Sequence, residues 1–91
     1  TQNSNRMDWL LDAYLRKQFE EVTKIISAAQ EEGKVIPGEP EHIFYLIVGG
    51  IGIFFAAPRE YMSLTGRDPA SAAEMHKLID FLCSVIFIKN R

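Results

Sequence analysis

The chain reads as all-α, and three observations carry that reading. Apolar residues recur at helical spacing over long runs, no segment shows the strict alternation of a half-buried strand, and Gly and Pro punctuation separates three such runs. With 91 residues and 10.3 kDa there is room for one domain. Hydrophobic residues at 47% and charged residues at 24% permit a core and depart from the composition of disordered chains.

The first helix is expected over about residues 5–32, with Ser4 or Asn5 accepting hydrogen bonds from its free N–H groups and Asp8 in the first turn. At 100° per residue, Met7, Leu11, Tyr14, Leu15, Val22, Ile25, Ile26 and Ala29 form one stripe, with Phe19 at its margin. Asp12, Arg16, Glu20 and Lys24 alternate in sign on the opposite side, as a solvated face does. Trp9, Leu10 and Ala13 lie off the stripe and require cover from some other surface. Gly33 supplies a left-handed stop, and Lys34 to Gly38 form a turn-rich connector.

Pro40 opens the second helix, expected over 40–57 and continuing after Pro58 as a short helix over 58–64. From Ile43 to Ala57 the sequence IFYLIVGGIGIFFAA carries no charge, so this helix must be surrounded. Those positions reach only about 22 Å, short of a hydrocarbon core of about 30 Å, which argues against a membrane span. Gly49, Gly52 and Ala56 make a smooth side suited to close approach, and Phe44, Ile47, Ile51, Phe54 and Phe55 make a bulky one. The run Gly49-Gly50-Ile51-Gly52 does not match the dinucleotide fingerprint, and nothing else in the chain calls for a cofactor.

Thr65-Gly66 stops the short helix, and Asp68-Pro69 is expected to cap and begin the last one, over 69–90. Met75, Leu78, Ile79, Leu82 and Ile86 form its main stripe, widened by Phe81, Val85 and Ile88. Glu74, Lys77 and Asp80 keep its early turns wet.

Chemistry is sparse. His42 and His76 are read as surface histidines without a third ligand in reach, so no metal site is expected. The single Cys83 excludes an intrachain disulfide and is read as a buried structural thiol, consistent with a reducing compartment. Ser27, Ser63, Ser71 and Ser84 have no base partner, so the chain is not read as an enzyme and has no catalytic residues to assign. Lys+Arg 10 against Asp+Glu 12 gives a net charge of -2, without the basic field that neutralises phosphates. Thr1 to Asn5 have neither the basic start nor the apolar stretch of a secretory signal, and the expected location is the cytoplasm.

A compact chain of this mass has a surface of roughly 5,400 Å² and a radius of gyration near 12 Å, whereas the first helix alone would be about 42 Å long. Helices apolar on more than one side cannot cover one another completely in such a chain. A second copy is the economical cover: helices 2 and 3 of each protomer would form a four-helix bundle about a two-fold axis, with Ile47, Gly49, Ile51, Gly52, Phe54, Phe55, Leu78, Leu82, Val85 and Ile86 at the interface.

The stretch from Phe19 to Arg91, with EEGKVIPGEPEHIF leading into an apolar Gly-containing helix and APREYMSLTGRDPAS leading into an apolar last helix, resembles the C-terminal regulatory domain of TetR-like transcriptional repressors. The resemblance covers about four fifths of the chain. It implies a cytoplasmic, dimeric, all-α domain whose last two helices pair with their counterparts as a four-helix bundle and whose preceding helix lines a chamber for small molecules. A small hydrophobic effector near Tyr14, Gln18 and Phe19 follows from the resemblance together with the polar groups of those residues beside the inner stripe. Such repressors begin with a three-helix DNA-reading unit that these residues do not supply, so DNA would be reached only through a domain absent here. On that reading the chain is a fragment, and Trp9, Leu10 and Ala13 mark where the missing helices pack. Two other readings stand beside it: a structural homodimer without ligand, and a helical protein of the membrane surface.

Overall fold

In the computed structural model the backbone is described for residues 2–89 and the side chains for residues 5–89. Four helices account for most of the chain: α1 (Gln2–Glu31), α2 (Pro40–Ala56), α3 (Pro58–Thr65) and α4 (Ala72–Ile86). The all-α expectation therefore holds, and among the described residues the only extended pairing is one isolated antiparallel bridge, Val35 with Phe87.

Most of the punctuation acts as its residue types dictate. Gly33 adopts φ 74° and closes α1 as a Schellman turn, in which Lys34 N–H donates to Ala29 O at 2.9 Å and Gly33 N–H to Gln30 O at 3.0 Å. The connector is then held from the side, because Gln30 Nε2 donates to both Ile36 O (3.0 Å) and Gly38 O (2.8 Å). Pro40 and Pro58 stand in the first turns of α2 and α3, where a missing N–H wastes nothing. Ala57, at φ -137° and ψ 56°, breaks the helical path, and α3 leaves α2 at 84°. Gly66 at φ 73° ends α3.

Three boundaries differ from expectation. α1 begins at Gln2, so Asn5 stands inside the helix rather than capping it. α4 begins at Ala72, not Pro69: Asp68 Oδ1 accepts from Ala70 N–H at 2.9 Å in a tight turn around a fully buried Pro69, and the cap is Ser71, whose Oγ accepts from Glu74 N–H at 3.2 Å. α4 then ends at Ile86, well before the expected end at Asn90, which lies outside the described residues. Phe87 turns extended because the connector takes it up. Ile36 N–H donates to Ile86 O and Ile88 N–H to Lys34 O, both at 2.9 Å, so the two ends of the core are tied by a miniature ladder.

The core is small. Ile26 of α1, Val35 of the connector, Ile43 of α2 and Ile86 of α4 are buried, with Val22, Ala29, Ile36, Phe44, Ile47 and Leu82 packed around them. α2 is the hub that α1, α3 and α4 each approach. The stripe of α1 is covered only in part of its second half: Met7, Leu11, Tyr14 and Leu15 are all exposed, and so is Ile25. Of the charges on the opposite side, Asp12 and Arg16 pair across one turn at 3.6 Å, both well exposed.

Candidate functional site

An apolar hollow of about 180 Å³, open on one side, lies where the end of α1, the inner side of α2 and the end of α4 converge. α1 contributes Ile25, Ile26 and Ala29; α2 contributes Ile43, Ile47 and Ile51, one turn apart on its inner side. Ile79, Leu82, Cys83 and Ile86 line it from α4, and the buried Val35, bridged to Phe87 at the rim, forms its floor. No polar surface lines it. It exists because α1 and α4 both pack on α2 and not on each other, leaving a wedge whose mouth carries the exposed Ile25, Ile79, Cys83 and Phe87.

The residues singled out for ligand contact lie elsewhere. Tyr14 is exposed, and Gln18 and Phe19 are half-buried nearer the middle of α1. Phe19 instead meets α2, with its ring edge-to-face on Phe44 at 5.2 Å and tilted against Tyr45 at 6.4 Å. The cavity was missed because its walls are ordinary core residues by spacing; only the relative placement of three helices opens space among them.

The residues expected at an interface fall into three groups. Gly49, Phe55 and Val85 are exposed, and Ile47, Ile51, Gly52, Phe54, Leu78 and Leu82 are half-buried. Ile86, at 4% exposure, is instead part of the chain's own core and offers a partner nothing. A Cβ built on Gly49 or Gly52 meets nothing within 4 Å, whereas one on Gly50 meets the Leu82 side chain at 3.6 Å. The glycine approached within the chain is thus Gly50, and the smooth side of α2 faces open space. Trp9, Leu10 and Ala13 are likewise exposed, with no cover from the chain itself.

Two expectations about single residues are corrected. Cys83 is exposed at the cavity mouth, not buried, since α4 has no helix on that side. Glu74 is 7% exposed rather than wet. Tyr61 Oη and Arg67 Nε (2.7 Å) both donate to its Oε2, and Arg67 Nη2 donates to Tyr61 Oη at 3.0 Å. The Tyr61 hydroxyl foremost, then the Arg67 guanidinium, holds the Glu74 carboxyl below the usual carboxylate range, and Glu74 in turn raises Arg67. This cluster bolts α3 to α4 and, with Phe54, Lys77, Leu78 and Phe81, lines an open hollow of about 240 Å³. His42 and His76 are exposed, and among the described residues no group of three metal-ligating side chains converges.

Also among the described residues, no single helix is long and apolar enough to cross a membrane; α2 and α3 reach that composition only together, across their 84° bend. No family model, curated protein or solved structure matches the chain.

Proposed function

We propose that this chain is a binding module and not an enzyme: the dimerisation and effector-sensing part of a transcriptional regulator of the TetR-like kind, acting in the cytoplasm with a separate DNA-reading unit. The observation that carries the reading is surface that the chain leaves uncovered. Its accessible area is 7404 Å², about 2,000 Å² above that of a compact chain of this mass. Much of the excess is apolar and continuous along helices. Tyr45, Gly49, Gly52 and Ala56 follow one another along the open side of α2, flanked by Val48 and Ile53, and Phe81 and Val85 stand one turn apart on α4. Permanent dimers bury roughly 2,000 to 5,000 Å² in total, so a self-complementary contact between two such faces absorbs an excess of this size.

The glycines support the same assignment. Each costs about 1 kcal/mol in a helix interior relative to Ala, and Gly49 and Gly52 return nothing within the chain. A second helix closing on them supplies the return. In the four-helix bundle so formed, α2 and α4 are the fixed hinge, and a small ligand shifts the population between spacings of the attached DNA-reading units.

Sedimentation of the chain and of two variants tests the proposal. Gly52→Leu adds a side chain into space that is empty in the protomer, and Phe55→Asp changes a residue that is 69% exposed, so neither disturbs the protomer itself. Both are expected to weaken dimerisation by tenfold or more, on the order of the cost of a lost close contact or an unpaired interfacial charge. A wild-type chain that sediments as a folded single copy at high concentration, or variants that dimerise unchanged, would reject it. Ile51→Asp is a poorer probe, because Ile51 lines the cavity of its own protomer.

A further inference from the structure

We infer that the apolar cavity between α1, α2 and α4 is a binding site for a small hydrocarbon-like molecule, of the size of one aromatic ring with a short alkyl substituent. The inference rests on the effector-sensing reading above and gives it a site and a ligand class, at a place distinct from Tyr14, Gln18 and Phe19. Its volume of about 180 Å³ is of the size of apolar cavities that take up benzene, but it stands open to solvent between α1 and α4. Water entering such a space needs two or more polar partners, and no polar surface lines it. The solvent it would hold is therefore poorly bonded and readily displaced.

The walls keep the space open. Ile26, Ile43, Ile47 and Ile51 are β-branched residues on helices, restricted at χ1 and unable to swing inward to fill the gap. Access is through the wedge between α1 and α4, past Ile79 and Cys83. Because no donor or acceptor faces the guest, recognition is by shape and dispersion, and the site selects against polar analogues: a hydroxyl taken into it loses its water and gains no partner. The ligand class is thus aromatic or branched aliphatic hydrocarbon, without carboxylate, phosphate or sugar.

The thiol at the mouth supplies a direct readout, since Cys83 is the single cysteine of the chain. Its modification by N-ethylmaleimide is followed in the full chain with toluene, with benzyl alcohol and with no probe, and sedimentation is run on the same samples. Toluene is expected to slow the reaction about tenfold at ten times its dissociation constant, and benzyl alcohol to bind weaker by on the order of tenfold or more. Ala29→Leu fills the cavity from the α1 side and should abolish protection, whereas Ala28→Leu, one residue along and outside the lining, should leave it intact. If Ala29→Leu does not fold, Ile79→Ala at the exposed rim enlarges the space and should shift preference from toluene to n-butylbenzene.

Unchanged modification in the presence of toluene overturns the inference, as does protection that survives Ala29→Leu in a folded chain or an Ile79→Ala variant with no change in preference. So does a dimer in which Cys83 is already protected without any probe, which would place a side chain of the second copy in the cavity. Dimerisation itself is read by sedimentation irrespective of toluene, so loss of the ligand site with an intact dimer is distinguishable from failure of the dimer.

Discussion

A carboxylate as enclosed as Glu74 needs compensation, and it receives one phenolic donor and one guanidinium donor, while the Glu74 backbone N–H donates separately to the Ser71 cap. Tyr61 itself packs tilted against Phe54 at 4.5 Å between ring centroids, and Arg67 lies 5.7 Å above the Tyr61 ring, so the acceptor gathers side chains from α2, α3 and the α3–α4 turn. The pH dependence follows from the direction of the shift. A carboxyl whose folded pKa lies below its unfolded value stabilises the fold fully above the unfolded pKa, about 4.3, and loses that contribution as pH falls through the folded value. Glu74→Gln should therefore lower stability at neutral pH and reduce the acid-dependent part of the loss below about pH 4.3, which urea unfolding at pH 3 to 7 will read. A variant as acid-sensitive as the parent would show that another carboxyl governs the slope. None of this was legible in the chain, because Glu74 sits where a helix commonly carries a solvated acid, and its partners lie across a bend whose geometry is tertiary.

At the scale of elements, the boundaries marked by Gly33, Pro40, Pro58 and Gly66 were the easiest to read. Gly33 and Gly66 ended helices as expected because a left-handed residue is a local requirement that glycine meets without strain. The start of α4 was read at Asp68-Pro69, and the helix-start chemistry of Ser71-Ala-Ala-Glu74 three residues on was passed over. The structure uses the first for a turn and the second for the cap. Burial of Pro69 decides between them, and no local pattern reports burial. Ser71→Ala should cost about 1 kcal/mol, lowering the unfolding midpoint by roughly 4–8 °C for a domain of this size. Asp68→Ala leaves that cap in place and should cost less. The reverse order in thermal unfolding would return the helix start to Asp68. The far end of α4 was overrun for a different reason, since Phe87 and Ile88 continue the apolar pattern of the helix yet are claimed by the connector at Val35 and Ile36.

The whole molecule is a slab of 56 × 40 × 19 Å with a radius of gyration of 16.5 Å, against about 12 Å for a compact chain of this length. That shape was half legible: an apolar helix 2 and a helix 1 longer than the globule required incomplete self-cover, while the wedge between α1 and α4 and the glycine left in contact with Leu82 depended on how the helices settled on α2. A slab whose core cluster holds four buried residues among those described has little with which to offset the entropy of ordering its chain. If the open faces of α2 and α4 meet a second copy, folding and association are one equilibrium, and the melting midpoint must depend on protein concentration. An unfolding enthalpy of about 0.7 kcal/mol per residue over two chains gives a fall of about 4 °C for each tenfold dilution. Melting followed by circular dichroism from micromolar to near-millimolar chain measures it. Phe81→Asp, at a residue 63% exposed in the protomer, should lower the midpoint most where the dimer is otherwise full and least where it is already dissociated. A midpoint independent of concentration in the parent chain would mean that the slab stands alone, with the open sides of α2 and α4 stable in water.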